Sequence, residues 1–367
     1  MNKKNHHRNK LNKLNFLTII PVILTVVGLL FIFEASSVSA FRNLGDSYFY
    51  LKRQLIWFIL GLIIMFTLSK IDYRIFHRLA YPALVTGLIL LILVLIPGIG
   101  LKIGGARRWI EIGLINIQPS EIIKFSLIIY LSTWFSRMEK NRFISYFGLL
   151  LFTIFLIMLQ PDMGTAIVIF GLFITVYFLS GYKVGYLLIL IPVSIFGFFI
   201  LVKSSPYRLQ RFMAFLNPDS DPLGIGYHIK QILISLANGG LIGRGFSASR
   251  QKYQFLPEAH TDSIFAILGE EFGFLGAAVI IFLYIILIVQ SYKIAQESKD
   301  RFGRLLAGAI FSVLGLQVVI NLGGMVNMIP LTGIPLPFIS YGGSSLMVFF
   351  ALIGILKNIE GRKNGKI

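Results

Sequence analysis

Cysteine is absent from the 367 residues, which excludes disulfides, thiolate nucleophiles and thiolate metal sites. Histidine is nearly as scarce: five in all, two of them (His6 and His7) close to the N-terminus, leaving no pattern for a histidine metal cluster. Charge is thin as well, at 14% of the chain against the roughly 25% of ordinary soluble domains. Hydrophobic residues make up 56% and the mean hydropathy is +0.79. A soluble multidomain protein is therefore excluded. The 16 acidic residues are outnumbered by 34 basic ones. A net charge of +18 could suit nucleic acid, but lysine and arginine in such a chain first serve to orient membrane spans. No nucleic-acid partner is expected.

What the chain does have is apolar runs near the length of a membrane span, recurring from end to end. They predict an all-α polytopic membrane protein of about ten transmembrane helices. The runs are Phe16–Phe33, Gln54–Leu68, Leu79–Ile96, Glu121–Phe135, Phe143–Leu159, Thr165–Ser180, Tyr186–Val202, Ser263–Val289, Leu305–Ile329 and Gly342–Leu356. A basic tail, 1–15, precedes a single membrane domain, 16–356, and 357–367 forms a second tail. A long segment, about 203–262, separates helices 7 and 8. Val38-Ser39-Ala40 resembles a signal-peptidase site. The preceding run is longer than a signal core and many spans follow, so an uncleaved first helix is expected.

An even number of spans places both termini on one side. With that side cytoplasmic, twenty Lys/Arg lie inside and six in the short outer segments (Arg42, Lys52, Arg53, Lys102, Arg107, Arg108). This is the asymmetry of the positive-inside rule, and it makes the 203–262 segment extracytoplasmic.

The unusual residues collect on that outer side. Asp262 ends the long segment, at the edge of an apolar run, where a carboxylate is costly and persists for pairing or function. N-capping of the next helix is the plain structural reading. Glu121 and Lys124 stand at i,i+3 after a Gln118-Pro119-Ser120 turn in which Ser120 can cap the helix. An ion pair is expected there, and at membrane depth it also offers a polar ridge to a cavity. Pro161-Asp162 reads as a structural turn.

The long segment is basic, with Arg208, Arg211, Arg244, Arg250 and Lys252 among its cations. Its Gly239-Gly240 and Gly243-Arg244-Gly245 could turn backbone N–H groups onto an anion. Glu270 and Glu271 lie about 12–14 Å down the helix from Asp262 and need polar partners. Gly269 and Gly273 suggest close helix packing. Residues 330–345, rich in proline and glycine, are expected to re-enter the membrane beside Asp262, since irregular backbone at that depth must line protein or water.

Leu256-Pro257-Glu258-Ala259-His260-Thr261-Asp262 and Gly269-Glu270-Glu271-Phe272-Gly273 resemble the signature of the shape, elongation, division and sporulation (SEDS) family. So do Gln118-Pro119-Ser120-Glu121, Gln160-Pro161-Asp162-Met163-Gly164-Thr165 and Pro337-Phe338-Ile339-Ser340-Tyr341-Gly342-Gly343-Ser344-Ser345. The resemblance covers essentially the whole chain. It implies ten membrane helices and a peptidoglycan glycosyltransferase that polymerises lipid II in the cytoplasmic membrane. A class B penicillin-binding protein would serve as transpeptidase, with other divisome or elongasome proteins as partners.

Carried over residue by residue, the resemblance makes Asp262 the essential outer aspartate and Glu121 and Lys124 the charged couple. Ser263 departs from the pattern, standing where an aromatic residue is common. Ser249-Arg250-Gln251-Lys252 and Glu258-Ala259-His260 are closer to the FtsW or sporulation form. Residues 219–228 and Phe302-Gly303-Arg304 are closer to RodA, and the balance tilts to the division type.

The chemistry follows as an expectation. Asp262 takes the proton of an acceptor sugar hydroxyl, and Arg208, Arg211 or Arg244 meets the departing pyrophosphate. Glu258, His260, Ser340, Gly342, Gly343 and Ser344 join Glu121 and Lys124 around the cavity. No cofactor is required, and a divalent cation bridging the pyrophosphate is compatible. A lipid II flippase and a non-catalytic scaffold are the alternative functions, although the spans show no evident inverted repeat.

Overall fold

The computed structural model describes residues 2–113, 115–137, 143–182, 185–249 and 256–363. Lys140, Arg142, Lys183, Arg250 and Lys252 lie outside the described residues. The first three helices are α1 (Asn2–Leu44), α2 (Phe49–Lys70) and α3 (Ile75–Leu93). A small antiparallel sheet follows, ordered β1 (Gly100–Ile103), β2 (Ala106–Ile112), β3 (Ile115–Ile117). Then come α4 (Pro119–Ser136), α5 (Phe143–Leu159), α6 (Met163–Leu179) and α7 (Gly185–Lys203). The long segment holds α8 (Pro206–Leu216) and α9 (Ile225–Gly239). The chain closes with α10 (Ile264–Glu297), α11 (Arg301–Met325) and α12 (Gly343–Lys363).

Each of the ten expected spans falls on one of these helices. Six are long and apolar enough to cross a membrane: 16–44 of α1, α2, α3, α10, α11 and 343–362 of α12. The helices α5 and α6 are apolar but shorter. Val38-Ser39-Ala40 lies inside α1, which continues to Leu44. The sheet is an addition to the all-helical expectation. Residues 97–120 carry too many glycines and charges to extend a span, and alternate instead along a hairpin with a bulge at Leu101/Lys102.

The centre is made by α4, α11 and α12. Of α4, 13 of 18 residues are buried, and in α11 and α12 72% and 83% of the apolar window is covered by protein. A rim of α1, α2, α3, α5, α6 and α10 turns large apolar side chains outward, among them Ile56, Ile63, Phe155 and Phe282, each more than half exposed. In water such a belt would drive aggregation; in lipid it is the wetted surface. On one face of the bundle lie the sheet, α8, α9, residues 256–263 and residues 326–342.

At 34 residues α10 would run about 51 Å, well beyond a hydrocarbon core of about 30 Å. It breaks at Gly273, whose φ of 65° and ψ of −165° are open to glycine and strained for other residues. Gly273 is thus a helix break as well as the close contact its spacing suggested, since a Cβ added there would stand 2.3 Å from Gly243 N. Residues 240–249 fill the break: Phe274 N–H donates to Gly240 O and Leu275 N–H to Leu241 O, while Arg244 and Gly245 N–H donate to Glu270 O and Glu271 O.

Candidate active site

Asp262 lies just before α10, but it does not cap it. The cap position is Ser263, with no side-chain cap hydrogen bond. The Asp262 carboxylate instead accepts from Thr261 Oγ1 at 3.1 Å, and Thr261 Oγ1 lies 2.8 Å from Glu258 Oε2. One hydroxyl therefore stands between two carboxylates. Asp262 is 9% exposed, and burial followed by the neighbouring Glu258 charge pushes its pKa up to about 6. Arg211 acts in the opposite direction. Glu258, exposed to solvent, adopts φ +49°, a conformation L-residues visit sparingly.

Facing Asp262 across a narrow cleft are Leu331, Thr332, Gly333 and Ile334 of the segment that links α11 to α12, with Asn321 of α11 behind them. Gly333 has φ +72°, and a Cβ added there would stand 3.6 Å from Asp262 Oδ2. Two α11 side chains one turn apart hold this irregular segment in place. Asn321 Nδ2 donates to Ile334 O at 2.8 Å and to Asp262 O at 3.0 Å. Gln317 Nε2 donates to Pro335 O at 3.1 Å. Backbone carbonyls that a non-helical stretch would leave bare at membrane depth are so satisfied.

Gln317 also accepts from Lys124 Nζ at 3.0 Å, and Lys124 Nζ donates to Glu121 Oε1 at 2.7 Å. Both charges are almost wholly buried, at 2% and 3% of their side-chain surface. A single chain of contacts therefore runs from Glu121 through Lys124 and Gln317 into the re-entrant segment. Glu121 Oε2 is buried with no hydrogen-bond partner. Ser120 does not cap α4: Gln118 holds the cap position, Pro119 takes N1, and Ser120 Oγ is itself buried and unpartnered. Proline at N1 needs no cap acceptor, because its missing N–H is one the helix leaves unpaired anyway.

The other expected cavity residues divide into two groups. Ser340, Gly342, Gly343 and Ser344 build the return into α12. Ser340 Oγ accepts from Leu336 N–H at 2.9 Å, Gln54 Nε2 donates to Ser340 O at 3.3 Å and Gly342 N–H donates to Gln54 Oε1 at 3.2 Å. Gly343 opens α12 against the Trp57 indole, and Ser344 Oγ accepts from Gln118 N–H at 3.1 Å. His260 ties the aspartate loop to the same return: its carbonyl accepts from Tyr341 N–H at 3.0 Å, and its ring lies 4.4 Å from Tyr50 and 5.7 Å from Tyr341.

Of the three arginines, Arg211 reaches the site. Its Nη1 donates to Leu331 O at 3.2 Å, its Nε is buried without a partner, and its guanidinium lies over Tyr207. Arg208, one turn earlier on α8, donates to Ser204 Oγ and reaches Met158 O at 3.5 Å. Arg244 is elsewhere, exposed, with its Nε donating to Asn238 O. The glycine turns around it spend their N–H groups on backbone carbonyls, and the residues just beyond them gather on internal anions instead of a phosphate. Glu271 accepts from Ser247 and Ser249 N–H, and Glu270 from Ser235 and Ser249 hydroxyls. Pro161-Asp162 is structural: Asp162 caps α6 through Thr165 N–H and Oγ1, and Arg108 Nε donates to Gln160 O.

His228 was not singled out by the sequence. From α9 it pairs with Ser263 Oγ at 2.7 Å, through the residue that departs from the family pattern. Burial lowers its pKa to about 4, which keeps it neutral near pH 7. Gln54, Gln317 and Asn321 also escaped, although buried amides within apolar helices are the intramembrane polar groups that signal a site. Among the described residues no group of three or more His, Cys, Asp or Glu could hold a metal ion. Glu258 and Asp262, beside Thr261, are the two carboxylates available to a cation carried in with a substrate.

Fold and site together define a polytopic membrane protein with a buried carboxylate at one face, set in a cleft that a re-entrant segment closes. The family model for FtsW, RodA and SpoVE, described as cell cycle proteins, matches residues 14–365, and the chain belongs to that family. It is 40% identical to stage V sporulation protein E of Bacillus subtilis over 348 residues, 93% of this chain and 95% of that protein. It is 39% identical to the probable peptidoglycan glycosyltransferase FtsW of Geobacter metallireducens, over 95% of this chain and 94% of that one. Among solved structures, a chain described under structural coordination of polymerization and crosslinking by a peptidoglycan synthase complex superposes with a TM-score of 0.77. Identity there is 29%, over 95% of this chain and 97% of that one. Thermus thermophilus RodA gives a TM-score of 0.69 at 28% identity, covering 94% and 96%.

Proposed function

We propose that the protein is a peptidoglycan glycosyltransferase, polymerising lipid II on the outer face of the cytoplasmic membrane in division, elongation or sporulation. The observation that carries this reading is the Asp262 carboxylate, buried at one face of the bundle against the 331–334 segment that Arg211 also reaches. A carboxylate with a pKa of about 6 is ionised at pH 7 yet basic enough to accept a hydroxyl proton. The acceptor oxygen attacks the anomeric carbon of the donor sugar and gives its proton to Asp262. The bond from that carbon to the pyrophosphate breaks, and polyprenyl pyrophosphate leaves with the electron pair. Arg211, with Arg208 one turn away, meets the negative charge that develops on it.

The Glu121–Lys124–Gln317 chain positions the re-entrant segment and does not touch the reacting atoms. Were a divalent cation to arrive with the substrate, Glu258, the exposed carboxylate, would hold it and the ion would offset negative charge on the leaving group, since Mg²⁺ favours one or two carboxylates together with substrate phosphates. Both termini lie in the cytoplasm and the cleft opens outside, on the twenty-to-six basic asymmetry. The tails, 1–15 and 357–367, flank one membrane domain, and of these 2–15 continue α1 and 357–363 continue α12 as helix. A class B penicillin-binding protein crosslinks the strands as they form, with other divisome or elongasome membrane proteins around the pair.

The test is reconstitution of the purified protein with lipid II. Glycan polymer is expected. Translocation of lipid II across liposomes without polymer would make the protein a flippase, and neither activity would leave a scaffold for the transpeptidase.

A further inference from the structure

A second cavity, of about 410 Å³, lies between α3 and α4 at the ends of those helices remote from Asp262. Its walls are His77, Arg78 and Tyr81 of α3 with Tyr130, Thr133 and Trp134 of α4, and Arg137 at the α4 C-cap stands at its mouth. Ala80 completes the lining, which among the described residues includes two exposed arginines, a histidine and no carboxylate. Neither Arg78 nor Arg137 forms an ion pair among the described residues. The negative end of α4 is answered by another cation, because Arg301 Nε donates to Phe135 O at 3.1 Å. The cavity's own arginines are not needed there.

Thr133 supplies an independent sign of a missing ligand. It is 6% exposed and lines the cavity, and its Oγ1 is buried without a hydrogen-bond partner. Leaving such a hydroxyl unpaired costs about 1–3 kcal/mol. The cavity opens at the flank of the bundle. Tyr81 is 69% exposed there, and Ile75 and Leu79 beside it are both 45% exposed. Three aromatics with polar tips, two arginines and an outward apolar rim match the headgroup level of a bilayer, where basic pockets between helices bind anionic lipids.

We infer that this cavity is a binding site for the phosphodiester headgroup of an anionic phospholipid, in the leaflet opposite the catalytic cleft. Arg78 and Arg137 hold the phosphate as planar donors, Thr133 Oγ1 donates to a headgroup oxygen, and Tyr81 and Trp134 flank the glycerol and the first methylenes. Bound there, the lipid links α3 to α4, the helix that carries Glu121 and Lys124. The inference rests on the chain's crossing a membrane and is independent of the glycosyltransferase reading, because its readout is lipid binding.

The experiment uses the full-length protein in zwitterionic detergent, titrated with phosphatidylglycerol, phosphatidylcholine or inorganic phosphate, and followed by thermal midpoint and native mass spectrometry. Phosphatidylglycerol is expected to raise the midpoint by several degrees and remain bound, with phosphatidylcholine inert. Arg78→Gln with Arg137→Gln should weaken retention about tenfold or more, while Lys70→Gln, at the same membrane face, should not. Equal phosphatidylglycerol retention by the double variant overturns the site. Equal protection by millimolar inorganic phosphate overturns the lipid assignment in favour of a soluble phosphate ligand. Should the double variant fail to fold, near-isosteric Thr133→Val replaces it: several-fold weaker phosphatidylglycerol binding is expected, and unchanged binding overturns the proposal.

Discussion

Asp262→Asn is the decisive single substitution. The carboxylate does not cap α10, so an amide of nearly the same shape disturbs no helix terminus, while it removes the proton acceptor. Loss of a positioned base costs on the order of 100- to 10,000-fold. The variant should insert with a thermal midpoint at or above the wild-type value, because it sheds a buried charge, and yield no detectable polymer from lipid II; near-normal polymer would move the chemistry to another carboxylate, Glu258 first. The pH profile adds a second check. A folded pKa near 6 lies above the ordinary 3.8, so burial and Glu258 favour the protonated form. The active ionised form is gained as pH rises, and kcat/KM should show an acid limb near pH 6. Glu258→Gln removes the like charge that helps raise Asp262, and the limb should move to lower pH. An unmoved limb would assign it to some other group. The same sign applies to stability: this carboxylate's burial cost is absent below its unfolded pKa and grows as pH rises through the interval from about 4 to about 6.

Secondary elements meet in the chain of contacts from α4 to the re-entrant segment. Lys124→Met leaves the Glu121 carboxyl buried and unpaired, and removal of one partner from a buried pair costs about 3–5 kcal/mol. Adding Glu121→Gln to that background should recover most of the thermal midpoint. Activity should stay low in the double variant, because Gln317 has lost the ammonium that fixes it; full activity there would reduce the pair to a structural role. The ion pair itself was legible at i,i+3. Its continuation through Gln317 to Pro335 O was not, since residues 124, 317 and 335 are joined only by packing. The glycine turns at 239–245 show the converse. Their N–H groups were expected to gather on an anion, but they donate to backbone carbonyls of the broken helix, and the N–H groups of Ser247 and Ser249 just beyond turn onto Glu271 of the same chain.

For the molecule as a whole, orientation is the testable property. The lack of cysteine makes single-cysteine labelling clean. Ser220→Cys, between α8 and α9, should react with a membrane-impermeant thiol reagent in intact cells, and Lys299→Cys, between α10 and α11, only after lysis. Labelling of the second in intact cells would reverse the siting of the cleft.

Composition and run length by themselves determined that this is a bundle of membrane helices, because a bilayer demands long apolar segments and little else can satisfy their backbone. They also marked Asp262, Glu121 and Lys124, since a charge beside or within such segments is costly enough to stand out. Which charges share a site was decided only by tertiary structure. Arg211 reaches the cleft and Arg244 does not, and His228 joins through Ser263 from a helix 35 residues away in sequence. Those choices depend on how helices pack and where α10 breaks at Gly273, and a hydrogen bond between distant residues leaves no periodicity in the chain to read.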